Sequence, residues 1–249
     1  MSFIELQHGE GIATLTLTRG KVNAINGPLV EQLQETLASL ERDRGTRAVI
    51  LTAAGPFFSF GFDIPEFLAF SREQFAEFLK DFTNLYTAAF LYPKPIVAAL
   101  NGHAIAGGCM LALACDHRIM ASGKAKIGLN EINFGSAVFA GSAEMLRFWV
   151  GDAKATSVLV SGSMYAAAEA LGLGLVNEIT GADELMKRAG QVASELAAKD
   201  QPAYAGIKTL LRGRIAEAMR THEPESIKAF VEIWYSESTW ANLQKIKIH

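Results

Sequence analysis

Short apolar runs alternate with helix-spaced segments along the first half of the chain, and this alternation restricts the fold more than any other feature. Ile12 to Thr18 alternates apolar and threonine residues, the pattern of a strand with one buried face. Arg47 to Thr52 carries the unbroken run Ala48-Val49-Ile50-Leu51, which suits a strand covered on both faces. Pro95 to Leu100 and His117 to Ala121 read as two more strands. Leu29, Leu33, Leu37 and Leu40 recur at helical spacing within Pro28 to Leu40. A turn at Asn101-Gly102 precedes a helix-like run from Cys109 to Ala114. Strands alternating with helices predict an α/β architecture with mostly parallel pairing.

From about Asp183 the pattern becomes mainly helical. Its clearest segments are Ala189–Lys199, Ile207–Ala218 and Glu225–Trp234, separated by Pro202 and Pro224. The expected division is therefore an α/β core over 1–182 and a helical appendage over 183–249, with no low-complexity linker between them. Trp234, Tyr235 and Trp240 carry much aromatic surface, suited to packing on the core or to a subunit interface.

Composition narrows the function classes. Of 249 residues, 50% are hydrophobic and 20% charged, as in ordinary globular proteins. A net charge of -3, without basic runs or interleaved aromatic and basic residues, gives no reason to expect nucleic acid or an anionic membrane. Apolar stretches are broken too often by Asn, Gly, Lys or Asp to span a bilayer. Cys109 and Cys115 share one apolar stretch with no histidine pattern, so neither a disulfide framework nor a zinc site is expected. Met1-Ser2-Phe3-Ile4-Glu5 lacks the basic start of a signal peptide, and a cytoplasmic location is the expectation.

Three segments carry candidate chemistry. In Phe57-Phe58-Ser59-Phe60-Gly61-Phe62-Asp63-Ile64, Gly61 permits a sharp turn and close backbone approach to a ligand. The phenylalanines suit an apolar pocket or plain core. In Ala104-Ile105-Ala106-Gly107-Gly108-Cys109-Met110, small residues expose amide N–H groups at a helix N-terminus, where the dipole favours negative charge. Two such donors aimed at one point would stabilise an oxygen gaining charge. The same glycines also suit close helix–strand packing. Neither a Walker A loop nor GxGxxG is present, so nucleotide phosphate has little support. In Lys126-Ile127-Gly128-Leu129-Asn130-Glu131-Ile132, burial could raise the Glu131 pKa toward that of a general base. An exposed loop glutamate is the alternative.

These segments, in this order, resemble the crotonase superfamily, the enoyl-CoA hydratase/isomerase group. The resemblance covers nearly the whole chain, beginning at Arg19-Gly20-Lys21-Val22-Asn23-Ala24-Ile25. Its most specific stretches are Pro95 to Gly102, Ala106-Gly107-Gly108-Cys109 and Cys115-Asp116-His117-Arg118-Ile119-Met120-Ala121. The resemblance implies a spiral of ββα units, with a C-terminal helical region used in homotrimers, often within homohexamers. It implies an acyl-CoA thioester as substrate and no cofactor beyond that CoA. Phe62 and Gly107 match the positions whose backbone N–H groups hold the thioester oxygen, and Glu131 matches a catalytic glutamate. Carbonyls around Phe60 match those facing the CoA adenine. Lys21, Val22, Ala24, Gly61, Asp63, Ile64, Ala106 and Gly108 belong to the matching substrate-binding segments.

The chain also departs from the family pattern. Hydratases of this group use two glutamates on one water, and Met110 stands at the first of those positions. A thioether is at most a weak acceptor. Moving a double bond needs a single base, and the strings ending in Met110 and Glu131 look most like those of mitochondrial-type 3,2-enoyl-CoA isomerases. Phe139 follows where hydratases have a Gly- and Pro-rich turn, and it is expected to reshape the acyl pocket. Pro65 replaces a common CoA-contacting lysine, leaving Lys21, or Lys245 or Lys247 of a neighbouring subunit, to meet CoA phosphate. Asp63 or Glu144 as a second group would permit hydratase or hydrolase chemistry, and Met110 alone would suit a CoA-binding protein without catalysis. Asp63 better fits a loop cap, Asp116 a structural role and Glu144 a helix start. His103 and His117 lack a nucleophile's partner pattern.

Overall fold

A computed structural model describes residues 2–246. After an opening pair of strands and a helix, its chain repeats one rhythm: a strand in a first sheet, a short strand in a second, then a helix. β1 (Ile4–Gly9) and β2 (Ile12–Leu17) pair antiparallel at one edge, and α1 (Gly27–Arg42) leads to β3 (Ala48–Ala53). β4 (Phe57–Ser59), α2 (Ile64–Phe67) and α3 (Arg72–Phe90) lead to β5 (Ile96–Leu100). β6 (His103–Ile105) and α4 (Gly107–Ala114) lead to β7 (His117–Ala121). β8 (Lys126–Gly128), α5 (Ala140–Val150), α6 (Asp152–Ser161), β9 (Tyr165–Ala166) and α7 (Ala167–Leu173) lead to β10 (Glu178–Thr180). Three helices follow: α8 (Leu185–Ala197), α9 (Gln201–Trp234) and α10 (Glu237–Leu243).

The first sheet has the order β1-β2-β3-β5-β7-β10 and is parallel beyond β2. The second has the order β4-β6-β8-β9, with β8 and β9 antiparallel. The architecture is thus the expected α/β spiral, and the central strands β3, β5 and β7 of its long sheet are buried on both faces. Alternation along the strands divides the contacts. Ala48, Ile50, Val97, Ala99 and Ile119 meet Leu185, Ala189 and Val192 of α8, whereas Val49, Leu51, Ala98 and Leu100 join the larger core on the other side. Each Val, Leu or Ile among them contributes about 1.5–3 kcal/mol by leaving water, and each Ala less.

Helix starts follow local chemistry. The Asn26 side chain accepts from Leu29 N–H at 3.2 Å, with Pro28 in the first turn of α1. Ser71 and Gln74 form a reciprocal capping box at α3. Phe75, Phe78, Phe82 and Tyr86 then recur along one buried face, where the Phe75 ring lies 4.5 Å from Trp234 of α9. Proline spacing predicts a break at Pro224, and here the structure corrects the sequence. Pro202 does lie in the first turn of α9, but Pro224 is inside that 34-residue helix. An interior proline costs a helix about 3 kcal/mol or more. Burial of Met219 before it and of Ile227, Phe230 and Trp234 after it, with the hydrogen bonds that Glu223 accepts, offsets the lost backbone bond. Among the described residues, no helix is long and apolar enough to cross a membrane, and no cluster of three His, Cys, Asp or Glu residues could hold a metal ion.

Candidate active site

The first loop is held by residues that lie far from it in sequence. Asn23, at φ 47°, is fully buried and donates from Nδ2 to the Ala54 and Phe57 carbonyls, both at 2.9 Å. Ser59 Oγ donates to Asn23 O at 2.7 Å, and Phe60 N–H donates to Val22 O at 2.9 Å. Ile25 N–H then donates to Gly61 O at 2.7 Å, and Asp63 N–H to Ile25 O at 2.9 Å. A parallel bridge of this kind uses the groups flanking Phe62 and turns the Phe62 amide to the opposite side. Among the described residues that N–H has no acceptor. The Phe62 ring anchors the loop, 5.0 Å from Phe82 and 5.2 Å from Phe78.

The second loop meets the first backbone to backbone. Gly61 has φ 95°, and a side chain there would come within 2.9 Å of Ile105 O and 3.3 Å of Gly107 N. Ala106, at φ 50° and ψ -115°, holds an uncommon conformation for a residue with a side chain. Its N–H donates to Gly128 O at 2.9 Å, and its carbonyl accepts from Met110 N–H at 3.0 Å. The two readings of Gly107-Gly108 separate here. Gly108 serves packing, because a side chain would lie 2.6 Å from Ser59 O. Gly107 lines a cavity at the first position of α4, where its N–H has no intrahelical partner and no other acceptor among the described residues.

Glu131 follows β8 and begins a 3₁₀ turn, Glu131–Phe134. It is 4% exposed, and neither carboxylate oxygen has a hydrogen-bond partner. Burial pushes its pKa up to about 8, with its own backbone amide acting in the opposite direction. The exposed-loop alternative therefore does not hold.

Phe60, Phe62, Ile64, Ala106, Gly107, Glu131 and Phe139 line a single cavity of about 140 Å³. Glu131 is the one ionisable side chain among the described residues that line it. Ile105, Asn130, Phe134, Phe230, Trp234 and Ile246 complete the wall. Sequence spacing marks Phe230 and Trp234 as one helix face, but only the fold shows that face turned over Glu131. Asn23 had one sequence signal, since asparagine tolerates positive φ better than most residues.

Other candidates lie elsewhere. Val22, Ala24 and Gly61 shape the first loop, and Met110 is core at 1% exposure, outside the cavity wall. Asp63 caps α2 and pairs with Arg19 at 2.6 Å. Lys21 is exposed and does not line the cavity. Lys245 donates to Asn242 at 3.3 Å, and Lys247 lies outside the described residues. Glu144 pairs with Arg147 at 3.2 Å, also outside the wall. His103 accepts from Lys126 N–H at 3.2 Å, and His117 pairs with Glu178 at 3.0 Å. Asp116 joins Lys208 at 2.7 Å and Arg212 at 3.1 Å.

The arrangement places a buried carboxyl group in a largely aromatic cavity beside two amide groups from adjoining loops. Such donors suit an oxygen that gains charge, and a low-dielectric wall strengthens them. Residues 7–244 match a family model described as enoyl-CoA hydratase/isomerase. A probable enoyl-CoA hydratase of Bacillus subtilis is 34% identical over 248 residues, covering 98% of this chain and 95% of the relative. Enoyl-CoA delta isomerase 1, mitochondrial, of Mus musculus is 29% identical over 242 residues, covering 96% and 84%. The crystal structure of human mitochondrial delta3-delta2-enoyl-CoA isomerase matches with a TM-score of 0.91 at 28% identity, covering 98% of this chain and 96% of that one.

Proposed function

This chain belongs to the enoyl-CoA hydratase/isomerase family, and from that premise we propose that it moves a double bond within an enoyl-CoA, from the 3,4 to the 2,3 position. One observation carries this choice: Glu131 is the only ionisable group lining the cavity among the described residues. Sequence identity does not choose, because relatives named hydratase and isomerase stand at 34% and 29%.

The cycle balances on that one group. The Glu131 carboxylate takes a proton from C2 of the 3-enoyl thioester. The electron pair released delocalises through the C3–C4 double bond onto the thioester oxygen, where Phe62 and Gly107 N–H groups stabilise the dienolate. The Glu131 carboxylic acid then returns the proton to C4, and the double bond forms between C2 and C3. No atom is gained or lost, and no cofactor beyond the substrate's CoA is needed. Syn hydration asks for a second polar group on the water, and Met110 supplies none.

Following conjugated 2-enoyl-CoA by absorbance after mixing with 3-enoyl-CoA tests the reading, with mass spectrometry to detect added water. Hydration without isomerisation would overturn it. Ile207, Leu210 and Leu211 are 59%, 85% and 61% exposed on α9, which supports the implied homotrimer or homohexamer. Light scattering that gives a monomer would remove that part of the proposal.

A further inference from the structure

With neither carboxylate oxygen hydrogen-bonded, no hydrogen bond at the end of the Glu131 side chain fixes its direction. The direction is inherited from the 3₁₀ turn, and so from whatever holds that turn. Within it, Ser136 N–H donates to Glu131 O at 3.0 Å and Gly135 N–H to Ile132 O at 3.1 Å. On the near side, Asn133 Nδ2 donates to Gly162 O at 2.7 Å.

The far end is different. A helical turn leaves its last carbonyls without donors of its own. Here α10 supplies them: Thr239 Oγ donates to Gly135 O at 2.7 Å, and Asn242 Nδ2 to Phe134 O at 3.4 Å. Thr239 is 1% exposed, and Ser236 caps the start of α10 by accepting from Thr239 N–H at 3.5 Å. The chain beyond α10 then brings Ile246 into the cavity wall. The segment that places Ile246 in the cavity wall therefore follows directly on the helix that completes the backbone of the glutamate's turn.

We propose that Thr239, assisted by Asn242, is a positioning residue that aims Glu131 by capping the turn that carries it. The inference rests on Glu131 being the base, as proposed above. Thr239→Val keeps the side-chain volume and removes the donor; Thr239→Ser keeps the donor. The measurements are kcat and KM on whichever of 3-enoyl-CoA and 2-enoyl-CoA the wild type turns over, and amide hydrogen exchange over residues 131–136. Thr239→Val should lower kcat on the order of tenfold to a hundredfold, the scale of a small misplacement of a reacting group. KM should stay within about twofold, because ground-state binding is untouched. Exchange at residues 135 and 136 should quicken, and Thr239→Ser should restore both readouts.

Unchanged exchange in Thr239→Val overturns the inference, as does faster exchange with unchanged kcat. A wild type that only hydrates 2-enoyl-CoA refutes the double-bond shift, while the Val and Ser pair still reads the positioning. A wild type inactive on both substrates refutes the proposed activity, and exchange in the turn, which needs no turnover, decides whether Thr239 holds it. Asn242→Ala, with a longer bond to remove, should give a smaller change in the same direction.

Discussion

Glu131 and Glu223 are buried to nearly the same degree, 4% and 7% exposed, yet their surroundings are opposite. Glu223 accepts from Tyr86 O–H at 2.9 Å, Gly141 N–H at 2.7 Å and Ser226 O–H at 3.3 Å. Burial raises its pKa, and those three donors oppose the rise. It ties α3 and α9 to the first turn of α5, where a negative charge is favoured. Glu131 has no donor, and its pKa reaches about 8. One carboxylate is satisfied by the fold that buries it. The other keeps its desolvation, and on the proposed function its raised proton affinity serves a reacting carbon.

The largest expected effect separates the two in activity. Glu131→Gln should lower double-bond movement by about a thousandfold or more, at the upper end of general-base contributions. Glu223→Gln should leave most of kcat and instead lower stability by roughly 2 kcal/mol, the scale of bonds to a charged group. Rate assays on 3-enoyl-CoA and denaturant unfolding of both variants check this. Equal losses of activity would erase the distinction.

Stability against pH gives the next contrast. The Glu131 pKa is about 8 when folded and 4.5 as an ordinary carboxyl, so between those values the folded protein binds the extra proton. Stability contributed by this group therefore falls as pH rises from about 4.5 to 8. Glu131→Gln should remove that loss and unfold later than wild type at pH 8.5, by on the order of a few kcal/mol. A variant less stable than wild type at that pH would contradict the unsatisfied, desolvated carboxylate.

The rate should carry the same titration with a smaller span. Proton removal needs the carboxylate form, so kcat/KM for 3-enoyl-CoA should rise with pH and level off above about 8. A profile already flat from pH 5.5 would show that Glu131 ionises normally, as a hydrogen-bonded glutamate does.

Much of this contrast was open to sequence reading, but unevenly. Val49 and Leu51 in an unbroken apolar run, and the leucine spacing of α1, report their own burial, because period and composition are local. The same holds for Gly61 and Gly107, whose turns need small residues. β4, β6 and β8 are three residues each and β9 is two, too short for any period to show, so the second sheet was not legible. Pro224 misled because a local helix breaker was overridden by burial on both sides. The burial of Glu131 was least visible. It depends on Phe230 and Trp234, about a hundred residues later, and on α9 folding back as one helix.

That distant wall supplies the finest test. Phe230 is 2% exposed, its ring 4.4 Å from that of Phe139, and both line the cavity with Glu131. Phe230→Leu removes ring atoms from the wall without adding polarity, at a cost of about 1–2 kcal/mol in packing. Two consequences should follow together. Longer acyl chains should gain in kcat/KM relative to short ones, because the apolar end of the site has opened. The rise of kcat/KM should also move to lower pH, since water reaching Glu131 relieves part of its desolvation. Profiles across pH for short and long 3-enoyl-CoA substrates read both at once. If chain preference changed while the pH midpoint stayed fixed, Phe230 would shape the acyl site without drying the base. The contrast between Glu131 and Glu223 would then rest on hydrogen-bond donors alone.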